Sequence, residues 1–298
     1  TQSRCYNYYG VPCSDNEWKT EYYQPPYATT NLFPPSGFSL GDTAVIMVGG
    51  YRTDLQNPSR WQCIVRTNIT GKHDSTFIKI EAEPNGPQQV GLKKNPQGGY
   101  YLVGSFQFIN DYLSPGIVKL TETFEIDTTF RSPFIKANVH SSSVDSEGRP
   151  WIGTSHAYFD NYQDTSIFLM RLNTDGSIDT TFNQPVFEGF ANESSQQNGF
   201  STSGVGIATM LEDDDGYIFG GSFGKVNGHE RYCMVKLSET GEVMQDVFLD
   251  NLIRYRYSGS HPPKFYTYIW PATVNDFIRL PDGKILVSGR FNLEINGH

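Results

Sequence analysis

Charged residues make up only 18% of this 298-residue chain, there are four cysteines, and no apolar run approaches the length of a bilayer-spanning helix. Each scarcity excludes something. Low charge beside 14% aromatics is the opposite of a disordered composition. No amphipathic helical period with capping residues stands out, which argues against a helical bundle. No signal peptide is visible, and no insertion into a membrane is expected. The six histidines are scattered without an HExxH-like spacing, and no glycine loop sits between a strand and a helix to cradle phosphate. No metal and no cofactor is therefore expected. A net charge of -9 repels a phosphate backbone, so nucleic acid is not an expected partner.

What is abundant points to turns and strands. Besides its aromatics the chain carries 29 glycines and 17 prolines, a composition suited to an all-β protein. Four stretches end alike: KHDSTF at Phe77, EIDTTF at Phe130, SIDTTF at Phe182 and MQDVF at Phe248. Each follows a short apolar run and a basic residue, at Arg66, Lys119, Arg171 and Lys236. Further upstream lie the glycine-containing strand patterns IMVGGY, YLVGSF, PWIGTS and YIFGGSF. A fifth copy, KILVSGRF to Phe291, opens and is not finished by His298. Recurrence at this spacing indicates a repeat architecture, in which each unit buries its core against its neighbours.

Every unit reads as strand, tight turn, strand, variable loop, strand, tight turn and a strand ending at the Phe. Asp175-Gly176, Asp215-Gly216 and Asp282-Gly283 are expected to supply the positive φ of two-residue hairpins. Four strands per unit, repeated radially, is the blade plan of a β-propeller. The expected fold is thus an all-β propeller of four-stranded antiparallel blades, at about 42–77, 98–130, 148–182 and 205–248, with a partial one at 274–298. Residues 1–38, rich in Tyr, Pro and Asn, read as an extended arm or small packing module, ahead of a propeller over 39–298. Because a blade cut short leaves unpaired edges, either residues 1–38 complete it or the chain is a piece of something longer; the second is expected.

The segments RLNTDGSIDTTF (Arg171 to Phe182) and LPDGKILVSGRF (Leu280 to Phe291) resemble the delta-60 repeat, a propeller-type repeat of bacterial surface and secreted proteins and of phage tail proteins. The resemblance extends over about residues 42–298. In the fourth unit Gln245 is read as replacing the Asp of positions 74, 127 and 179, after one inserted residue.

Motifs that could carry chemistry mostly have plainer readings. Gly37-Phe38-Ser39-Leu40-Gly41 fits the nucleophile elbow of hydrolases, but Pro34 and Pro35 precede it and no helix follows, so it reads as a loop. The acidic run Glu212 to Asp215 lacks calcium-loop spacing and reads as a solvated turn. Asp74, Asp127 and Asp179 recur once per unit, whereas catalysis needs a unique constellation; a structural task suits them, bonding turn amides or pairing with the recurrent cation. Cys63 and Cys233 occupy one strand position in two repeats, where Gly116 and Phe168 are the counterparts. They read as buried thiols, and Cys5 and Cys13 could pair locally.

Departures from the repeat are more informative, because loops on a rigid scaffold carry function. The segment at 249–272 gathers Arg254, Tyr255, Arg256, Tyr257, His261, Tyr266, Tyr268 and Trp270, a mixture that binding surfaces use. Filling the gap between blades is the alternative. A smaller candidate, HAYFDNYQD at 156–164, contains Tyr158 and Tyr162. With the resemblance, the expectation is a non-enzymatic structural and binding module of a phage tail or receptor-binding assembly. Its partners would be other virion or tail proteins, a host surface glycan or protein, or further copies of itself. A bacterial cell-surface or secreted adhesin and a propeller glycoside hydrolase or lyase are the alternatives.

Overall fold

The computed structural model describes residues 36–40, 44–51, 61–68, 72–83, 90–159, 164–165, 167–189, 205–245 and 273–290. Among them every regular element is a β-strand. Two compact units divide the chain, Thr1–Lys94 with Gly98–Asn138, and Asn95–Gln97 with Val139–His298.

In the first unit, β1 (Ser36–Leu40), β2 (Ala44–Tyr51), β3 (Trp61–Asn68) and β4 (Ile80–Glu83) form an antiparallel sheet. A second sheet is made by β5 (Val90–Lys94), β6 (Tyr100–Gly104) and, across the two-strand hairpin β7 (Phe108–Ile109) and β8 (Tyr112–Leu113), β9 (Ile117–Leu120). The central strand β6 is buried along its whole length, and its sheet packs on the first through Ile46, Val48, Ile64, Leu102 and Val118. Gly37 to Leu40 of the GFSLG motif lie in β1, paired with β2, where a loop was expected; alternation of Phe38 and Leu40 with small residues in the sequence suits a strand.

The second unit repeats the plan. β10 (Lys136–Val144), β11 (Pro150–Tyr158), β12 (Asp164–Thr165) and β13 (Leu169–Arg171) form one sheet. After the short β14 (Phe187–Glu188) come β15 (Gly206–Asp213) and β16 (Gly216–Ser222), the hairpin β17 (Lys225–Val226) and β18 (His229–Glu230), and β19 (Met234–Leu237), which pairs with β16. The hairpin β20 (Thr273–Arg279) and β21 (Ile285–Arg290) follows. One core holds Trp151, Leu169, Phe182, Ile207, Tyr217 and Phe219 between consecutive sheets, and another joins Ile218, Cys233 and Met234 to Val274 and Phe277.

The segment ending at each Phe departs from the expected plan. After the third strand the chain makes a tight turn and returns for one bridged residue, Leu120 to Ile126, Leu172 to Ile178 and Leu237 to Val243. At Phe130 and Phe182 a second turn then delivers the ring, so among the described residues a single bridge stands where a fourth strand was expected. Gly176 and Gly241 occupy the positive-φ place of the first turn, at 94° and 91°. Phe124 sits there at 66°, unusual for a bulky residue; its ring stacks on Tyr100 at 4.6 Å, packing that offsets the strain. Gly216 has another role. It lies in β16, paired with Asp213, and a Cβ there would collide with the carbonyl oxygen of Leu237.

Each middle-loop hairpin grips the strand leaving the previous repeat. β7 pairs with β4 and β17 with β14. Their turns are Asn110-Asp111 and Asn227-Gly228, with both residues of each at positive φ, the primed geometry that matches strand twist. Asn227 donates its amide to the Val186 carbonyl at 2.8 Å and accepts the Val186 amide on Oδ1 at 2.8 Å. Asn110 treats Glu81 the same way and also donates from Nδ2 to the Lys79 carbonyl at 2.8 Å. Asn227→Ala removes a bond and places a Cβ-bearing residue without a polar side chain in the left-handed region, so urea unfolding should show a loss of about 1–3 kcal/mol. A change below the error of the measurement would contradict this role.

Candidate functional site

In the first three repeats the recurrent basic residue, Asp and Phe form a brace. The basic residue stands on the third strand, and its backbone carbonyl accepts the amide of the Asp eight positions later: Asp74 on Arg66, Asp127 on Lys119 and Asp179 on Arg171. The side chains pair as well, Arg66 Nε to Asp74 Oδ2 at 2.8 Å, Lys119 Nζ to Asp127 Oδ2 at 3.1 Å and Arg171 Nε to Asp179 Oδ2 at 2.6 Å. The other carboxylate oxygen accepts the amide and hydroxyl of the Thr two residues on, at Thr76, Thr129 and Thr181. At Arg66 and Arg171 that turn carries the Phe over the cation. The guanidinium carbon of Arg66 lies 4.9 Å from the Phe77 ring centre, and that of Arg171 lies 5.1 Å from Phe182 and 5.2 Å from Trp151.

These bonds depress the carboxyls. Asp74 is lowered to about 2, chiefly by the Thr76 hydroxyl and amide and then by Arg66. Burial works against the ionised forms of Asp127 and Asp179, yet the Thr bonds and the paired cation outweigh it and both are held below the usual carboxylate range. The Arg171 pair is the buried one, with side chains 2% and 5% exposed, and Nη1 of Arg171 has no hydrogen-bond partner among its aromatic neighbours.

In the fourth repeat the amide bonded to the Lys236 carbonyl belongs to Met244. Met244, not Gln245, thus occupies the Asp position, eight residues after the cation as elsewhere and without an insertion. Lys236 finds its counter-charge in the hairpin turn, on Asp213 at 2.8 Å and Asp215 at 2.5 Å. Arg279 of the next repeat reaches the same Asp213 at 2.7 Å. The acidic run is therefore a charge relay between repeats. Other polar links join positions about one repeat apart: the Ser146 amide and hydroxyl to Glu212, each 2.7 Å, Arg149 Nη2 to the Tyr217 hydroxyl at 2.8 Å, and the Thr209 hydroxyl to Asp276 at 3.1 Å.

Among the described residues little resembles a reactive centre. A shallow depression of about 10 Å³ between β10, β11 and β15 is lined by Ser142, Trp151, Ile207, Met210 and Phe219, and no lining group titrates. Its size is below that of ordinary small-molecule pockets. Cys63 and Cys233 are buried thiols, as expected; burial raises both, Cys233 to about 12, so neither is a ready nucleophile. Cys233 also adopts φ 63° where its counterpart Gly116 adopts 78°.

Of the sequence-derived binding residues, Arg254, Tyr255, Arg256, Tyr257, His261, Tyr266, Tyr268, Trp270 and Tyr162 lie outside the described residues, as do Cys5 and Cys13. Tyr158 ends β11, its backbone paired with Asp164 of β12. Sequence reasoning passed over the Asn110 and Asn227 clamps and the Asp145 cluster. Asp145 is fully buried and accepts from Arg149 Nε at 2.8 Å and Trp151 Nε1 at 3.2 Å. The Asn that opens the middle-loop turn in both repeats, before Asp111 and before Gly228, was a usable signal for the former.

A family model described as "Domain of unknown function (DUF5122) beta-propeller" matches residues 156–182. That stretch runs from the end of β11 to Phe182 and contains the buried brace. No curated protein matches the chain. The all-β architecture of small sheets and this match together support a β-propeller type of fold.

Replacing Asp179 by Asn strands a buried guanidinium, a loss of about 3–5 kcal/mol, whereas Asp74→Asn at an exposed pair should cost distinctly less. Equal losses would refute the ranking. The carboxyls are depressed in the folded state, so their stabilisation is complete above the ordinary range near pH 4 and is lost as pH falls toward about 2. The urea midpoint should drop across that window, and a midpoint level through it would count against the braces.

Proposed function

We propose that this chain is a β-propeller of the delta-60 repeat type, with four full blades and part of a fifth, acting as a non-enzymatic structural and binding module. In the second and fourth repeats three strands and the turn after them take the place of four strands. The setting that fits the resemblance is a phage tail or receptor-binding assembly.

One observation carries the reading. The recurrent charged groups, Arg66, Lys119, Arg171 and Lys236 with their carboxylates, are engaged in holding turns and joining repeats. Chemistry that varies from unit to unit is left to the inserted segments, above all 249–272 ahead of β20. Its Tyr, Trp and Arg content suits recognition of a glycan or protein surface, because rigid rings give contact area at low entropic cost.

An array of bacterial surface glycans, probed with the full chain, tests this. Binding that weakens at least about tenfold in a Tyr268→Ala, Trp270→Ala double variant is expected from the loss of two aromatic anchors. Undiminished binding by the variant removes the segment from the site. Turnover of a glycan instead of retention overturns the non-enzymatic reading.

A further inference from the structure

The clamp turn of the second unit is Asn227-Gly228, and in an Asn-Gly pair the next backbone nitrogen readily attacks the asparagine side chain, because glycine has no Cβ to obstruct it. Attack joins the Gly228 nitrogen to Cγ of Asn227 and breaks the Cγ–Nδ2 bond, and ammonia leaves with the proton of the Gly228 amide. Water then opens the cyclic imide. Opening at Cγ gives aspartate, whereas opening at the backbone carbonyl gives isoaspartate, whose main chain runs through Cβ and Cγ. Either product adds a negative charge, and the second lengthens the main chain by one carbon.

The closed turn opposes the first step. Asn227 has φ 49° and Gly228 φ 77°, with Val226 paired to His229 across them. An L residue in this left-handed region holds its Cβ beside its own carbonyl oxygen, hence across the Cα–C bond from the next nitrogen. Cγ of Asn227 is thus turned away from the nitrogen that would attack it. The turn is kept in place by β14: Oδ1 of Asn227 accepts the Val186 amide and its own amide donates to the Val186 carbonyl, each at 2.8 Å. A two-stranded hairpin with strands this short is marginal in water alone, so release of β14 also releases the turn. Solvent access is no obstacle, because both residues are exposed and a Cβ at Gly228 would meet nothing within 4 Å. The clamp of the first unit has the same turn and the same bonds to Glu81, but Asp111 carries a Cβ where Gly228 has none, and Asn110 Nδ2 is also held by the Lys79 carbonyl.

We propose that Asn227-Gly228 is a deamidation site gated by the clamp on β14. It stays intact while the clamp is closed and converts when local opening lets Asn227 leave the left-handed region. The change is one-way. Isoaspartate, with its longer main chain, cannot rebuild a two-residue turn that sets Val226 opposite His229, so the grip of β17 and β18 on β14 is then lost for good. The product therefore records opening of the joint between the third and fourth repeats, whatever segment 249–272 binds.

Peptide mapping by mass spectrometry, on the full chain held in mildly alkaline buffer, reads aspartate and isoaspartate at position 227. The pairs Asn85-Gly86, Asn198-Gly199 and Asn296-Gly297 lie outside the described residues and are scored separately in the map. A synthetic peptide of residues 223–232 gives the ungated rate. The folded chain should convert Asn227 at least about tenfold more slowly than the peptide, since only the open fraction reacts. Val186→Pro, which lacks the amide that Oδ1 accepts, should bring the rate toward that of the peptide while Asn110 stays intact. If that variant fails to give a β circular-dichroism spectrum, urea below the unfolding midpoint opens the clamp instead, and conversion should rise in proportion to hydrogen exchange at the Asn227 amide. Conversion in the folded chain as fast as in the peptide overturns the proposal. So does a folded Val186→Pro chain that keeps the slow rate, or conversion in urea that does not follow the exchange.

Discussion

The buried pairing of Arg171 with Asp179 is the constraint around which a repeat is arranged. Burying either charge alone would cost several kcal/mol. The pair is tolerated because Asp179 also accepts from Thr181 and because Trp151, Phe182 and Tyr217 surround the guanidinium. Those requirements fix the third strand, the turn after it and the position of the Phe at once. The fourth repeat makes the same point by substitution. With Met244 at the carboxylate position, Lys236 draws Asp213 and Asp215 from the hairpin turn, so the cation keeps a counter-charge although its source changes.

Links between repeats follow from the same geometry. Once successive sheets stack with their cations in register, Ser146 meets Glu212, Arg149 meets Tyr217 and Thr209 meets Asp276 at nearly constant sequence separation. The Asn clamps add a backbone connection, each hairpin holding the strand that leaves the preceding repeat. Stability then resides in neighbouring contacts, as in other repeat proteins, and the long segments between them are free to vary in sequence. This division of labour underlies the assignment of binding to the loops.

Several parts of this were legible from residues alone. The recurrence of Arg or Lys, Asp and Phe marked the repeats, and their number per chain argued for structure over catalysis; the ion pairs and Asx turns account for both. The buried state of Cys63 and Cys233 followed from their place in apolar strands. Other features were hidden by ambiguity in local pattern. Residues 126–130 carry a strand-like composition, yet after one bridge the Asp127 side chain captures the backbone and turns it. Asp215-Gly216 reads as a hairpin turn, although strand pairing already begins at Gly216, where the Leu237 carbonyl leaves no room for a Cβ. Met244 was misaligned because the eight-residue spacing from the cation, set by a backbone hydrogen bond, is invisible when the Asp is absent. The candidate binding residues of 249–272 were singled out by composition, which carries no geometry.

The most direct test of the brace as the organising element is native-state hydrogen exchange. The amides of Asp127, Asp179 and Met244, bonded to the carbonyls of Lys119, Arg171 and Lys236, should exchange as slowly as those of the central strands β6, β11 and β16. Exchange of these three amides as fast as in exposed loop tips, with the central strands still protected, would contradict the account.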